Sequence, residues 1–202
     1  MIGRHLLYLA ALGLAGPAMA QETTAVDDLI TLPAGTLESS SGRVAVNVAS
    51  GDGNQQAGAA LLSLGAVAAG TLELHQIIPV AVPVGERSAA IVVGSDSIVG
   101  NTGLISFNAS AGTANQSANL AILNVSETGA LSDLQLSQAR APTEPSGSNS
   151  PGIADSEQSV SIASDAFSGN AGLVQINLTG GEANTSANTF MLNVSAGGPP
   201  QP

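Results

Sequence analysis

The segment Gly42–Leu62 reads GRVAVNVASGDGNQQAGAALL, and two further segments of the chain align with it without a gap. Gly103–Leu123 reads GLISFNASAGTANQSANLAIL, and Gly172–Leu192 reads GLVQINLTGGEANTSANTFML. Segments that share Gly and Asn at fixed spacing are predicted to adopt one structure and to stack. The shared positions, with the Gln that follows the turn in the first two copies, are Gly42, Asn47, Gly51, Asn54 and Gln55; Gly103, Asn108, Gly112, Asn115, Gln116 and Asn119; and Gly172, Asn177, Gly181, Asn184 and Asn188.

Each copy has the pattern of a strand, a turn and a second strand. Val44, Val46 and Val48 alternate with smaller or polar residues, and this period of two predicts a strand with unlike faces. The next five residues carry Gly and Asn, which tolerate the backbone angles of a chain reversal. Leu120–Leu123 is apolar at every position, which predicts a second strand covered on both sides. A hairpin and an arch both fit this pattern.

The similarity extends beyond the three copies. Asp96, Gly100 and Asn101 precede the second copy at the spacing at which Asp165, Gly169 and Asn170 precede the third. Strand-like runs also flank the copies, which predicts further strands outside them. These runs are Leu29–Leu32, Ile91–Val93 and Val160–Ile162 on one side, and Leu72–Gln76 and Leu134–Gln138 on the other.

We therefore predict an all-β fold in which three strand-turn-strand repeats stack as a β-solenoid or Greek-key-like layer joined by flexible linkers. A helix over Ala57–Ala69 is the one alternative that the apolar pattern leaves open. The predicted division is a signal peptide at 1–20, an N-terminal segment with a short strand at 21–40, repeat 1 at 41–65, a linker with strands at 66–95, repeat 2 at 96–126, a linker at 127–158 that is rich in Pro, Ser and Gly at 141–152, repeat 3 at 159–196, and a disordered tail at 197–202.

The N-terminus predicts export. Arg4 and His5 precede the apolar run Leu6–Ala15, which is too short to span a bilayer, and Ala18-Met19-Ala20 follows as a cleavage site. We expect the mature chain to begin at Gln21 and, without a later apolar run of about 20 residues, not to insert into a membrane.

Charge and composition exclude several classes of protein. Once residues 1–20 are removed, three Arg stand against 15 Asp and Glu, so nucleic acid and anionic membrane surfaces are excluded as partners. With no Cys and only three Phe in the mature chain, neither disulfides nor aromatic packing can supply the stability. Backbone pairing and close stacking must supply it.

Asn at fixed places suggests a side-chain ladder. When identical units stack in register, their amides can hydrogen-bond along the stack at about 4.8 Å intervals. Asn47, Asn108 and Asn177 lie in mid-strand, where Asn is normally depleted, and we predict that they form such a ladder. The turn asparagines, Asn54 and its two equivalents, fit a ladder and a simple turn role equally well.

The sequence does not point to an enzyme, a cofactor or a metal site. His75 is the only His after the signal peptide, and without Cys the usual nucleophile pairs and transition-metal sites cannot form. The Gly-rich turns lack the Lys of a phosphate loop. Asp96 and Asp165 give each unit about one carboxylate, too few for the six to eight oxygens of a calcium site.

At the shared Gly, Asn and Gln positions of the three copies, the sequence resembles the Fap functional-amyloid family of Gram-negative bacteria. The fibre subunits of that family carry Asn- and Gln-bearing repeats separated by variable linkers. The run Val46–Gln56 carries most of the likeness. The resemblance implies self-association or association with related amyloid subunits, transit through the periplasm and outer-membrane export machinery, and a structural role in an extracellular biofilm matrix. Family subunits often end in a Cys-x-x-Cys pair, which this chain lacks. The sequence therefore leaves open whether the chain is the principal subunit, a minor or nucleating subunit, or an accessory member of the system.

Two other functions are compatible with the same repeats. A periplasmic chaperone or capping protein would use them to add a strand to a true subunit and would stay soluble alone. A surface adhesin would use them as a monomeric β-solenoid stalk. Fibre formation by the purified chain distinguishes the subunit from both.

Overall fold

The computed structural model of the chain describes residues 26–79, 87–141 and 157–195. Within these ranges every regular element is a β-strand, as the sequence predicts. The predicted signal peptide at 1–20, residues 142–152 of the second linker and the predicted tail at 197–202 lie outside them. The strands are β1 Val26–Leu32, β2 Leu37–Glu38, β3 Ser41–Ser50, β4 Gln55–Ile78, β5 Arg87–Val93, β6 Ile98–Val99, β7 Thr102–Ala111, β8 Gln116–Arg140, β9 Gln158–Ile162, β10 Ala171–Gly180 and β11 Thr185–Ser195.

Each strand pairs in parallel with its equivalent in the next repeat. The sheet orders are β1-β5-β9, β3-β7-β10 and β4-β8-β11, so the second repeat lies between the other two. Asn47 pairs with Asn108 and Asn108 with Asn177, which places identical repeat positions side by side. We call the three stacked repeats rung 1, rung 2 and rung 3. The predicted stack of three repeats is confirmed.

The two strands of one repeat belong to different sheets. β3 pairs with β7 and β4 pairs with β8, while β3 and β4 do not pair with each other. Each unit is therefore an arch whose two strands pack through their side chains. The segment Ala57–Ala69 is part of β4, so the helical alternative is wrong.

Apart from the short strands β2 and β6, which pair with each other, the strands form four layers. Layer A contains β1, β5 and β9, and layer B contains β3, β7 and β10. A register shift between Gly65 and Val67 divides the paired strands β4 and β8 into two parts. Layer C consists of β11 and the first parts, Gln55–Gly65 and Gln116–Ser126. Layer D consists of the second parts, Val67–Ile78 and Gly129–Arg140, which fall in segments that the sequence assigns to linkers.

Alternating side chains fill the spaces between the layers. The apolar core lies between layers A and B, around Ile91, Ile105 and Phe107, because the larger residues of layer B face that way. Leu120 and Ile122 are fully buried in layer C. The opposite face of layer B carries Ser106, Asn108 and Ser110, which are buried as well. The space between layers B and C is therefore a polar interior.

Candidate functional site: stacked amide columns

Three asparagines, one in each rung, form a hydrogen-bonded column along layer B. The Nδ2 of Asn108 donates to Oδ1 of Asn47 at 2.8 Å, and the Nδ2 of Asn177 donates to Oδ1 of Asn108 at 2.9 Å. Asn108 is 0% exposed and Asn177 is 4% exposed. Because a buried amide left without a partner costs about 1–3 kcal/mol, this column favours the register in which the three asparagines coincide.

A second column stands opposite the first, on layer C. The Nδ2 of Asn188 donates to Oδ1 of Asn119 at 3.0 Å, and Gly58 takes the equivalent place in rung 1. The columns are also joined to each other, since Asn119 donates to Asn108, Asn177 to Asn119, and Asn188 to Asn177, each at 2.9 Å. One amide network thus links two layers in rungs 2 and 3.

The turn asparagines connect neighbouring rungs as well as closing their own turns. The backbone N–H of Asn115 donates to Oδ1 of Asn54, and that of Asn184 donates to Oδ1 of Asn115, both at 3.0 Å. The Nδ2 of Asn54 donates to the carbonyl of Ser50 in its own turn at 3.1 Å, and to that of Gly112 in the next rung at 2.8 Å. The two roles that the sequence left open for these residues therefore coexist.

The shared glycines permit close contact between rungs. Gly42, Gly103 and Gly172 have φ of 91°, 122° and 112°, and the turn glycines Gly51, Gly112 and Gly181 also have positive φ. A Cβ added to Gly103 would overlap the carbonyl oxygen of Gly42, and one added to Gly172 would overlap that of Gly103. A Cβ on Gly42 meets nothing within 4 Å, since no described residue lies on that side of rung 1.

The glutamines after the turns connect layer C to layer D. The Nε2 of Gln116 donates to Oε1 of Gln55 at 3.2 Å and to the carbonyl of Ala139 at 3.0 Å. The Nε2 of Gln55 donates to the carbonyl of Ile77 at 2.6 Å. These two residues therefore hold layer D against layer C.

Two further amide pairs were absent from the predicted site. The Nδ2 of Asn101 donates to Oδ1 of Asn170 at 3.0 Å, and the Nε2 of Gln138 donates to Oε1 of Gln76 at 2.6 Å. Both pairs lie where the flanking sequences repeat, so the signal was present in the spacing of Gly100-Asn101 and in the two Leu-x-Leu-x-Gln runs.

The charged residues concentrate beside the turns. Arg87 donates to Asp28 at 3.0 Å and to Asp52 at 2.7 Å, and the hydrogen bond to Asp28 raises the pKa of Arg87. Asp28 is only 4% exposed, so this ion pair offsets the cost of its burial. In rung 3, burial raises the pKa of Glu182, and Arg87 opposes this shift.

His75, the one His after the predicted signal peptide, is a surface residue. His75 lies 2.6 Å from Glu73, and both side chains are 57% exposed. Across residues 26–79, 87–141 and 157–195, no three His, Cys, Asp or Glu side chains are grouped as metal ligands would be. The same ranges contain no helix of the length and apolarity needed to cross a membrane.

An apolar groove of about 700 Å³ crosses all three rungs at the open end of the arches. Leu62, Leu123 and Leu192 lie along it, and Arg43 borders it in rung 1 where the other rungs have Leu104 and Leu173.

Parallel rungs held in register by buried amide columns, with identical residues repeated along the stack, fit a subunit of the amyloid class. The functional amyloid protein FapB/FapC family model matches residues 15–195, and the chain belongs to that family. This membership confirms the resemblance seen in the sequence and places the chain in a structural family, not an enzymatic one. Membership also implies self-association and an extracellular fibre. No solved structure matches the chain.

Proposed function

We propose that the chain is an exported structural subunit of an extracellular amyloid fibre that supports a biofilm matrix, and that it polymerises by stacking rung 1 of one copy on rung 3 of the next. The signal peptide at residues 1–20 and outer-membrane export machinery would deliver it. The observation that carries the proposal is the continuous column Asn47, Asn108 and Asn177, whose two ends are complementary to each other.

The outer strands make this stacking possible. Rung 1 and rung 3 each present a parallel edge whose backbone groups match the register of the pairing inside the molecule. Unprotected edges of this kind template the addition of another chain. At such a junction Asn177 of one copy would meet Asn47 of the next, and the column would continue.

The test is the variant Gly42→Ala in purified residues 21–202. Inside one chain an added Cβ meets nothing within 4 Å, whereas in a stack it would overlap the carbonyl of Gly172 in the adjacent copy, as Gly103 shows for Gly42. We expect the unmodified chain to give fibres with reflections near ~4.8 Å and ~10 Å. Seeded elongation by Gly42→Ala should be at least about tenfold slower, because raising the barrier to chain addition by ~1.4 kcal/mol already accounts for that factor.

The matched control is Gly35→Ala, which also places a Cβ at a positive φ in rung 1, but at a position whose rung 2 equivalent, Asp96, carries a side chain at a φ of 53°. Gly35 has a φ of 72°, and its added Cβ would meet only the flexible side chain of Glu38 at 3.3 Å. Equal elongation rates for the two variants would contradict stacking through rung 1.

One feature of rung 1 favours a second function, that of a capping or chaperone protein. Gly58 interrupts the second amide column, and Arg43 donates instead to the Gly58 carbonyl at 2.6 Å. An edge with fewer amides binds the next copy less tightly. A purified chain that remains soluble at high concentration and slows the assembly of another subunit would establish this function.

A further inference from the structure

Layer D has one strand fewer than the layers on which it packs. Layers A, B and C take a strand from each of the three rungs, whereas within the described ranges layer D has only Val67–Ile78 and Gly129–Arg140. Among the described residues, no strand pairs with Gly129–Arg140 on the side of rung 3. This part of β8 is an open sheet edge.

The open edge presents backbone groups ready for pairing. The N–H of Ala141 donates to the carbonyl of Ile78 at 2.7 Å, so this residue points towards rung 1. Because the direction of the peptide groups alternates along a strand, the N–H and C=O of Leu136, Gln138 and Arg140 point to the open side. A parallel strand placed there would form backbone hydrogen bonds with these groups.

The layer beneath this edge is partly uncovered. Layer D strands lie between neighbouring strands of layer C, since Gln76 donates to the carbonyls of both Gln55 and Ser117 at 3.2 Å. Ile122 in rung 2 is 0% exposed, while its rung 3 equivalent Met191 is 53% exposed. A third layer D strand would lie against Met191.

Stacking of copies cannot close this gap. Each added copy brings three strands to layer C but two to layer D, so Gly129–Arg140 of one copy and Val67–Ile78 of the next would flank a space one strand wide. The sequence of residues 196–202 does not suit this space, because Pro199, Pro200 and Pro202 have no N–H to donate. The described strands of stacked copies therefore leave this space unfilled.

The two existing layer D strands show which sequence fits. Leu72-x-Leu74-x-Gln76 pairs with Leu134-x-Leu136-x-Gln138, and their glutamines are hydrogen-bonded at 2.6 Å. We propose that this gap is a binding site for one parallel β-strand of a separate polypeptide that carries the pattern Leu-x-Leu-x-Gln. An acidic residue two positions after that Gln would complement Arg140. This inference rests on the proposed stacking.

The experiment uses fibres of residues 21–202 and a fluorescent peptide with the sequence of residues 127–140, ETGALSDLQLSQAR. The expected result is saturation near one peptide per chain along the whole filament, and tighter binding by the peptide with Arg140→Glu. The peptide with Leu136→Pro is the matched control and should not bind, since Pro cannot complete the pairing. Fibres with Met191→Ser should bind about tenfold more weakly, whereas Val194→Ser, 42% exposed on the other face of β11, should not change binding.

The outcomes separate this inference from the proposed function. If no fibres form, the stacking proposal itself fails. If fibres form but the peptide binds only at their ends, or the Leu136→Pro peptide binds equally well, the strand site is overturned. Binding that appears only after residues 197–202 are removed would show that the chain's own terminus occupies the gap, and it would also overturn the inference.

Discussion

Asn108 is the residue at which the polar contacts of the molecule converge. Its Oδ1 accepts from Asn119 and Asn177, and its Nδ2 donates to Asn47 and to the carbonyl of Ala57, all within 2.8–2.9 Å. A fully satisfied buried amide specifies one arrangement of its neighbours, because any shift breaks several bonds at once. This explains how a polar side chain is accommodated in the middle of a stack of strands.

Replacing Asn108 by Leu should weaken the fibre strongly. Leu keeps most of the volume but removes the four hydrogen bonds that Asn108 makes to β3, β4, β8 and β10, at about 0.5–1.5 kcal/mol for each. We expect the concentration of soluble chain in equilibrium with fibres to rise by at least about tenfold, which corresponds to 1.4 kcal/mol. The comparison is Asn193→Leu, because Asn193 is exposed and accepts one bond, from Ser132. Similar rises for both variants would contradict the role of the column.

Sequence spacing predicted which asparagines coincide, because an in-register stack needs only equal separations. It did not predict that Asn119 donates to Asn108, because this bond joins the two strands of one arch. Which faces of those strands pack together depends on the geometry of the turn. The alternation of Val44, Val46 and Val48 is the same in a hairpin and in an arch. The turn backbone, with Ala114 and Ala183 at φ of 56°, decides between them, and Ala at these positions does not reveal it.

At the scale of strands, the hydrophobic cluster around Phe107 fills the space between layers A and B. Phe107 is 1% exposed, and its rung equivalents Val46 and Ile176 pack against the same cluster. The runs around Ile91 that repeat outside the three copies form the other wall of this core. Their strand character could be predicted from the sequence. Their packing on layer B could not, because the connecting segments show no repeating apolar pattern that would indicate how the chain turns.

Phe107→Ala should test this core. Loss of a buried Phe side chain costs about 3–5 kcal/mol when the surroundings cannot collapse into the cavity. We therefore expect a clear fall in the guanidinium concentration at which fibres dissociate, followed by light scattering. Leu131→Ala, where the side chain is 72% exposed, should change stability by no more than about 0.5 kcal/mol. If Leu131→Ala were the more harmful change, the assignment of the core would be wrong.

At the scale of the whole molecule, the acidic turns determine how assembly responds to pH. Burial raises the pKa of Glu182, Asp28 adds to the shift, and Arg87 opposes it. A carboxyl with a raised pKa in the folded state prefers to be protonated there. Its favourable contribution is therefore complete at low pH and is lost as the pH rises through the raised pKa. In the proposed stack Glu182 would also lie beside Asp52 of the next copy, since both occupy one repeat position.

Fibres should therefore become more stable as the pH falls from neutral towards the range in which Glu182 is protonated. In Glu182→Gln this part of the pH dependence should disappear, and the variant should already assemble faster at neutral pH. The soluble concentration at equilibrium, measured across this range, reports the effect. Glu127→Gln, at an exposed position in β8, should keep the pH dependence of the unmodified chain. A pH profile unchanged by Glu182→Gln would contradict the role of Glu182 in the pH dependence of fibre stability.

The turn asparagines have one more consequence. The Nδ2 of Asn54 donates to the carbonyl of Gly112 in rung 2, and the Nδ2 of Asn115 donates to that of Gly181 in rung 3. Both of these bonds run from a rung to the next one in the same direction. A filament that repeats this arrangement has a direction: one tip exposes the Asn184 side-chain oxygen as an acceptor, and the other exposes a backbone N–H of Asn54 as a donor. Arriving chains meet different chemistry at each tip, so the two tips would lengthen at unequal speeds.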